Sequence, residues 1–340
     1  MHKPLFKIRE NGCFGFINAH GEVVIEPQYL EVSEFKNGFA AARLNGQWAL
    51  LDAAGRLSIK RLYRSLGFFE EGLARAQWVR AWGYTDGRGN VAIPPMFEEA
   101  GDFCGGLAPV AFEGRAGFIN QTGQFVIKPN FSATGNFRDG LAPAADGDQW
   151  GFVNTQGQFE IEPAWDTAQP FQGNVAVVMR GGLWGLVNRA GQAVVLPQFE
   201  FVKGHAHGEF FDGMALAYQD GKYGFVSQQG AIAVEPMFDL AGDFGEGLAL
   251  VEINGAYGYI DKTGKLVIMP KFEDAGVFSD GLAQVRINGR WGYINTEGQV
   301  VIPATYDSAT PFRDGLALVI SDGKWCYIDR FGGAIWREAS

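Results

Sequence analysis

Cysteine is scarce in this chain: three residues in 340, at positions 13, 104 and 326. An odd number at such distances is neither a disulfide framework nor a zinc-ligand pattern. Long apolar runs are missing too. No stretch approaches the eighteen or so apolar residues of a membrane span, and the first twelve, MHKPLFKIRENG, hold no signal-peptide core. Positive charge is in deficit, with 28 Lys and Arg against 38 Asp and Glu and a net charge of −10. That argues against nucleic acid, whose phosphates need a basic face. No Gly-rich loop joins a strand to a helix around a phosphate, and no Ser-His-Asp or Cys-His grouping stands out. The expectation is a reduced, cytoplasmic protein with no cofactor and no membrane attachment.

What the chain has in excess is glycine, 48 residues, and a ruler laid along its length. An aromatic recurs at Phe14, Trp48, Trp82, Trp150, Trp184, Tyr223, Tyr257, Trp291 and Trp325. Every step is 34 residues or a multiple of it, except the 39 from Trp184 to Tyr223. The one vacancy is Ala116, where RAGFIN keeps the frame and loses the ring. Turn glycines (Gly21, Gly55, Gly89 and onward to Gly332) and an alanine column (Ala40 to Ala317) keep the same time. Periodicity of this length marks a repeat architecture.

Helical repeats share this period, so the pattern within each unit decides. Val23, Ile25, Pro27 and Tyr29 alternate, as do Leu266, Ile268, Pro270 and Phe272. Side chains two apart share one strand face, which predicts this face buried. Gly, Pro and Asn recur too often for packed helices. Each unit resolves into three strands. The first, as in Trp291 to Ile294, ends in Asn, Asp or Ser three residues before the turn glycine, an Asx-type turn closed by a left-handed residue. The second carries the Val/Ile face and ends near proline. A loop with an anchor phenylalanine (Phe35 to Phe312) leads to the third, which enters the next unit through an Asn-Gly or Asp-Gly turn. Pro109 and Pro143 lie inside third strands, so one side of that strand is expected to be an edge or a break. The other parity of this strand (Val177, Leu216, Leu250, Leu318) forms an apolar stripe that a neighbouring sheet is expected to cover.

The unit resembles the WG repeat family, bacterial β-repeat proteins of the pattern K-W-G-Y-I-D-x-x-G-x-x-V-I-P-P. The best matches run from Trp291 to Asp307, Tyr257 to Glu273 and Trp82 to Glu98. Ala116, Ala49, Cys326 and Arg61 depart from it. The resemblance implies binding or structural modules and little chemistry. The fold expected is all-β: tandem 34-residue three-stranded repeats in an elongated or superhelical array, or alternatively a closed propeller-like ring of about ten units. Residues 1–340 read as a single repeat domain. A partial unit spans 1–11, nine complete repeats span 12–323 with an insertion at about 204–208, and a second partial unit spans 324–340. The two partial units together hold the strands of a tenth.

Two acidic columns, Glu98 to Asp307 and Glu71 to Asp314, invite a paired-carboxylate reading. A residue type repeated in every unit has ordinary surroundings many times over, so turn hydrogen bonding is the better account. No enzymatic activity is expected. The aromatic columns are expected in the core. The odd piece is VKGHAHGEFF at 202–211, which holds the five extra residues and two of the four histidines. Insertions in repeat arrays often lie on a binding face, which makes His205, His207, Glu209 and Phe211 the candidate partner-binding residues. His205 and His207 are also an alternative for part of a divalent-metal site. The function expected is protein–protein binding or scaffolding with a protein partner, the alternative being a carbohydrate or cell-wall-glycan binding module.

Overall fold

The computed structural model describes residues 3–200 and 208–339, which are all strand, turn and loop without a helix. They form ten antiparallel sheets, seven of four strands and three of three. Sheet 4 is representative: Glu99–Ala100, Leu107–Phe112, Arg115–Asn120 and Phe125–Phe131, side by side in chain order. The expected three strands are the last three of this set. The fourth is a strand of only two residues in five of the sheets, too short to show an alternation in sequence. It pairs with the third strand for two residues and stops at the same place whether the next third-strand residue is Pro109 or Pro143 or, in other blades, Val177, Gln284 or Leu318. The prolines thus fill a position whose N–H the ladder does not use. The boundary between sheets falls just after each long strand, between Phe97 and Glu99 for example, so sheets and repeats are out of phase. The end segments consequently do not complete one another: Phe6–Glu10 pairs with Cys13–Ile17, and Ala334–Arg337 with Lys324–Asp329.

The Asx turns are built as the sequence implies. In sheet 4 the Asn120 Oδ1 accepts the N–H groups of Thr122 and Gln124 at 3.0 Å, and Gly123 takes φ +82°. This glycine has a second duty. A Cβ there would sit 2.9 Å from Ile93 of the preceding sheet, so the turn stacks on the neighbour's central isoleucine.

The chain divides into two compact units, one of Met1–Asn18, Val23–Gly181 and Val187–Ala193, the other of Ala19–Glu22, Gly182–Leu186 and Val194–Ser340. Within the first, Gly55 lies on Ile25, Gly157 on Ile127 and Gly191 on Ile161. Within the second, Gly264 lies on Val234, Gly298 on Ile268 and Gly332 on Ile302, and Gly21 of the first turn lies on Ile335 of the last strand. The ten sheets are the blades of a β-propeller, arranged in a ring. Of the two arrangements left open by the sequence, the ring is realised, not the elongated or superhelical array. The joint that distinguishes the two is Gly21 of the first blade against Ile335 of the last, both within the second compact unit.

The core is a ladder across blade boundaries. In seven blades the second aromatic of the first strand meets the anchor phenylalanine nineteen residues on: Phe16–Phe35, Tyr84–Phe103, Phe118–Phe137, Phe152–Phe171, Phe225–Phe244, Tyr259–Phe278 and Tyr293–Phe312, with centroids 4.6–4.9 Å apart. These are tilted or edge-on contacts that add to simple burial. The WG ring itself, expected in the core, is fully buried only at Trp184 and nearly so at Tyr223; the others are half-buried. The buried column lies two residues further on. The long strand also departs from expectation at its start. Ile25 and Tyr29 are buried, Pro27 is half-buried, and Val23 is exposed because this strand is the blade's edge. Of the third-strand stripe, Val177 and Leu250 are buried and Leu216 and Leu318 half-buried, so it is covered.

Three of the buried rings are tyrosines whose hydroxyls donate to carbonyls of the next blade: Tyr84 to Gly101 at 2.7 Å, Tyr259 to Gly276 at 2.8 Å and Tyr293 to Thr310 at 2.9 Å. Burial pushes all three well above the ordinary tyrosine value, with nearby Asp102 and Asp274 adding to it at Tyr84 and Tyr259. At Tyr293 burial leads and Tyr306 adds to it. A raised folded value means the unfolded chain ionises first, so the stabilisation is complete below about pH 10 and drains away as pH rises further. Denaturant melts should therefore be flat to about pH 10 and then weaken. The Y84F/Y259F/Y293F variant should show a shallower decline, and an identical one would contradict this assignment.

Candidate functional site

Both acidic columns do structural work. Those that follow the long strand cap the hairpin of the next blade: Asp166 accepts the Gly181 N–H at 2.6 Å, Glu273 that of Gly289 at 2.9 Å. Those before the loop glycine stand at positive φ and accept an N–H from the following blade. Glu71 takes those of Gly105 and Gly106, Asp212 that of Gly247, and Asp280 that of Gly315, at 2.6–2.9 Å. The hydrogen bond from Lys262, foremost, holds Asp212 below the usual carboxylate range. These carboxylates are spent on turns.

The insertion is placed only in part. His205 and His207 lie outside the described residues. Glu209 is exposed, and Phe211 is 36% exposed, bridged to Met214 at the start of a third strand. Among the described residues no cluster of His, Cys, Asp and Glu is suited to a metal ion.

A second departure from the repeat is spatially coherent. In eight of the ten blades the third and first strands are joined by two residues at positive φ, such as Asn254-Gly255 (φ +53° and +80°) and Asn288-Gly289 (φ +50° and +76°); blade 5 uses Gly147-Asp148, with positive φ at the glycine alone. In blade 3 the same two positions are Val79 and Arg80. A β-branched valine resists the left-handed region. The turn widens to Trp78–Ala81 between the paired Gln77 and Trp82, closed by Trp78 N–H to Ala81 O at 3.2 Å. Val79 is pushed out and is 82% exposed. The acidic cap of this hairpin is replaced at the same time. Its column holds Arg64, whose guanidinium donates to Val79 O at 3.3 Å, while Gln77 donates to Arg80 O at 3.4 Å. Trp78 stands edge-on to Tyr63, centroids 5.4 Å apart, with its buried Nε1 lacking a hydrogen-bond partner. Residues 54–88 carry seven of the 28 Lys and Arg but three of the 38 Asp and Glu, so this stretch is basic within an acidic chain. The signal is present in the sequence: Arg61 stands in the proline column, and Arg64 and Val79-Arg80 break two further columns within the next nineteen residues.

Rings offered to solvent are few. Every tryptophan and tyrosine lies in the described residues, and none is exposed; among the described phenylalanines Phe68, Phe211 and Phe331 are. No described helix crosses a membrane, since there is none long and apolar enough.

A ring of short three- and four-stranded blades whose acidic and glycine columns are consumed by turns is a repeat propeller. The chain belongs to the WG containing repeat family, whose pattern matches residues 14–48, 82–115, 117–148, 150–184, 184–223, 223–255, 257–291 and 291–325. No curated protein sequence matches it. Among solved structures it is similar to one described as a crystal structure of the eukaryotic initiation factor, with a TM-score of 0.54 and 12% identity over 99% of this chain and 96% of that one. It also resembles Kluyveromyces lactis Hsv2 (TM-score 0.40, 11% identity, 73% and 89% covered) and BamB from Moraxella catarrhalis (0.34, 9%, 90% and 95%). At such identity the first of these shows the fold alone.

Proposed function

We propose that this chain is a non-enzymatic, cytoplasmic protein-binding propeller, and that its principal contact is the blade 3 hairpin around Val79. The observation that supports it is the joint loss of two repeat columns at one hairpin: Arg64 removes a turn cap, and Val79-Arg80 removes the tight turn. An apolar tip flanked by Arg64 and Arg80 suits an acidic protein surface, with Arg and aromatic residues supplying anchoring and steering. The half-burial of the tryptophans and tyrosines leaves no exposed ring platform for a sugar, so the glycan reading draws no support from the geometry.

A photo-crosslinking residue placed at position 79 should yield discrete protein adducts in native lysate. The same residue at Val267, an exposed edge position in blade 8, should not. R64E/R80E should abolish the adducts at 79. Identical adduct patterns at both positions, or none at 79, would overturn the proposal.

A further inference from the structure

In blade 3 Trp82 packs on the cluster holding Ala100 and Val110 of blade 4. In blade 5 Trp150 does the same with Ala168 and Val178 of blade 6, and in blade 8 Tyr257 with Ala275 and Val285 of blade 9. The WG ring is thus the filler between its own blade and the next. Blade 4 has Ala116 in its place, and beside it a cleft of about 390 Å³ separates blade 4 from blade 5. Pro109, Val110 and Ala116 line one side, Ala133 and Thr134 the other. That volume is within the range of ordinary small-ligand pockets, roughly 300–1,000 Å³.

The polar wall is not neutral. Arg75 occupies the position that is Pro109 in the next blade, and it donates to Ala100 O at 3.1 Å. Its Nε lies 3.1 Å from Asp102 Oδ1, close enough for charge attraction. The two atoms are not aligned as a hydrogen bond, and both are buried without such a partner. Burial pushes the Asp102 carboxyl up, against the opposing pull of Arg75. Glu99, exposed, is a second carboxylate in the lining, so the cleft holds two carboxylates and one guanidinium.

We propose that this cleft is a binding site for a planar aromatic group carrying an adjacent positive charge, the ring taking the place vacated at Ala116 and the cation lying against Glu99 and Asp102. The site is distinct from the Val79 hairpin and does not depend on it. Free aromatic amines and the Trp side chain of a peptide with a neighbouring Lys share this chemistry.

Tryptamine, neutral N-acetyltryptophanamide and acetyl-Trp-Lys-amide would each be titrated into methyl-labelled protein and followed by NMR. Tryptamine is expected to bind with a Kd on the order of 1 mM, typical for a ligand of its size, and to shift the Ala116, Ala133 and Thr134 methyls. A116W restores the column's usual residue type, should melt no lower than wild type, and should weaken binding at least tenfold. D102N should weaken tryptamine at least threefold and leave N-acetyltryptophanamide unchanged. If the peptide binds as well as tryptamine, the natural source is a protein segment; if only tryptamine binds, it is a free amine. Shifts confined to other residues, undiminished binding to a folded A116W, or equal affinity for tryptamine and its neutral counterpart would each overturn the assignment. The wild-type methyl map decides the matter even if A116W does not fold.

Discussion

Replacing Tyr293 by alanine is expected to lower stability by about 3–5 kcal/mol, the range for deleting a fully buried large aromatic. The ring has no exposure, meets Phe312 at 4.9 Å, and closes the blade 9–10 boundary through its hydroxyl on Thr310 O. Trp291, two residues earlier, is the more conspicuous position of the repeat. It is half-buried opposite Tyr306, and Trp291→Ala should cost roughly half as much because the loss scales with apolar area removed from water. Y293F separates the terms. It keeps the ring and orphans one carbonyl, for a loss of about 1–2 kcal/mol. Chemical denaturation of the three variants would rank them Y293A, then W291A, then Y293F. A W291A variant less stable than Y293A would show that the family's signature residue, not the column beside it, is the core. Because repeats are coupled mainly to their neighbours, hydrogen exchange should show the loss concentrated in blades 9 and 10.

Gly258→Ala should be the second severe change, at about 3 kcal/mol, although alanine is ordinarily a mild substitution. The glycine of WG does not stand in the left-handed region. It is required by what crosses it. The ladder from Tyr257 paired with Phe272 to Tyr259 paired with Ile268 slips by two residues, and the long strand bulges onto the glycine. An added Cβ would meet the Ile268 carbonyl oxygen at 2.5 Å and Pro270 N at 2.7 Å, both backbone atoms that a rotamer change does not move. Two blades lack the glycine. In blade 2 Ala49 fills the column, buried, and the ladder beside it slips by three residues instead of two, from Trp48–Tyr63 to Leu50–Ser58. Blade 10 is the second internal control. Cys326 fills the same column, and there the ladder runs without a slip from Cys326–Arg337 to Tyr327–Trp336, so the thiol is accommodated. Thermal melts of G258A and G292A against C326A would test this: the first two should fall sharply and the third little. A G258A variant melting like wild type would mean the bulge yields at small cost and the glycine column has another cause.

The sequence alone was enough for the brick. A strict 34-residue period, alternation in the long strand, Asx turns ending in glycine and Asn-Gly hairpins are local matters, set by backbone sterics and by hydrogen bonds within a few residues, as the Asn120 turn shows. Pro109 and Pro143 likewise marked the position where pairing stops, although the stop itself is common to blades that carry Val177, Gln284 or Leu318 there. The acidic columns were readable as turn caps from their repetition alone, although the N–H groups they accept belong to elements 15 to 35 residues away. What tertiary structure decided were relations between bricks. The two-residue strand at each blade's start, the phase of blades against repeats, the preference for the ring over an open array and the burial of Tyr293 above Trp291 all depend on which blade lies beside which. No periodicity within a unit encodes that neighbour. The same holds for the cleft: Ala116 was visible as a vacancy, but that the missing ring opens a space walled by Arg75 and Asp102 follows only when blades 3, 4 and 5 are set edge to face. Local geometry is written in each repeat, whereas the distance between two side chains forty residues apart is fixed by packing.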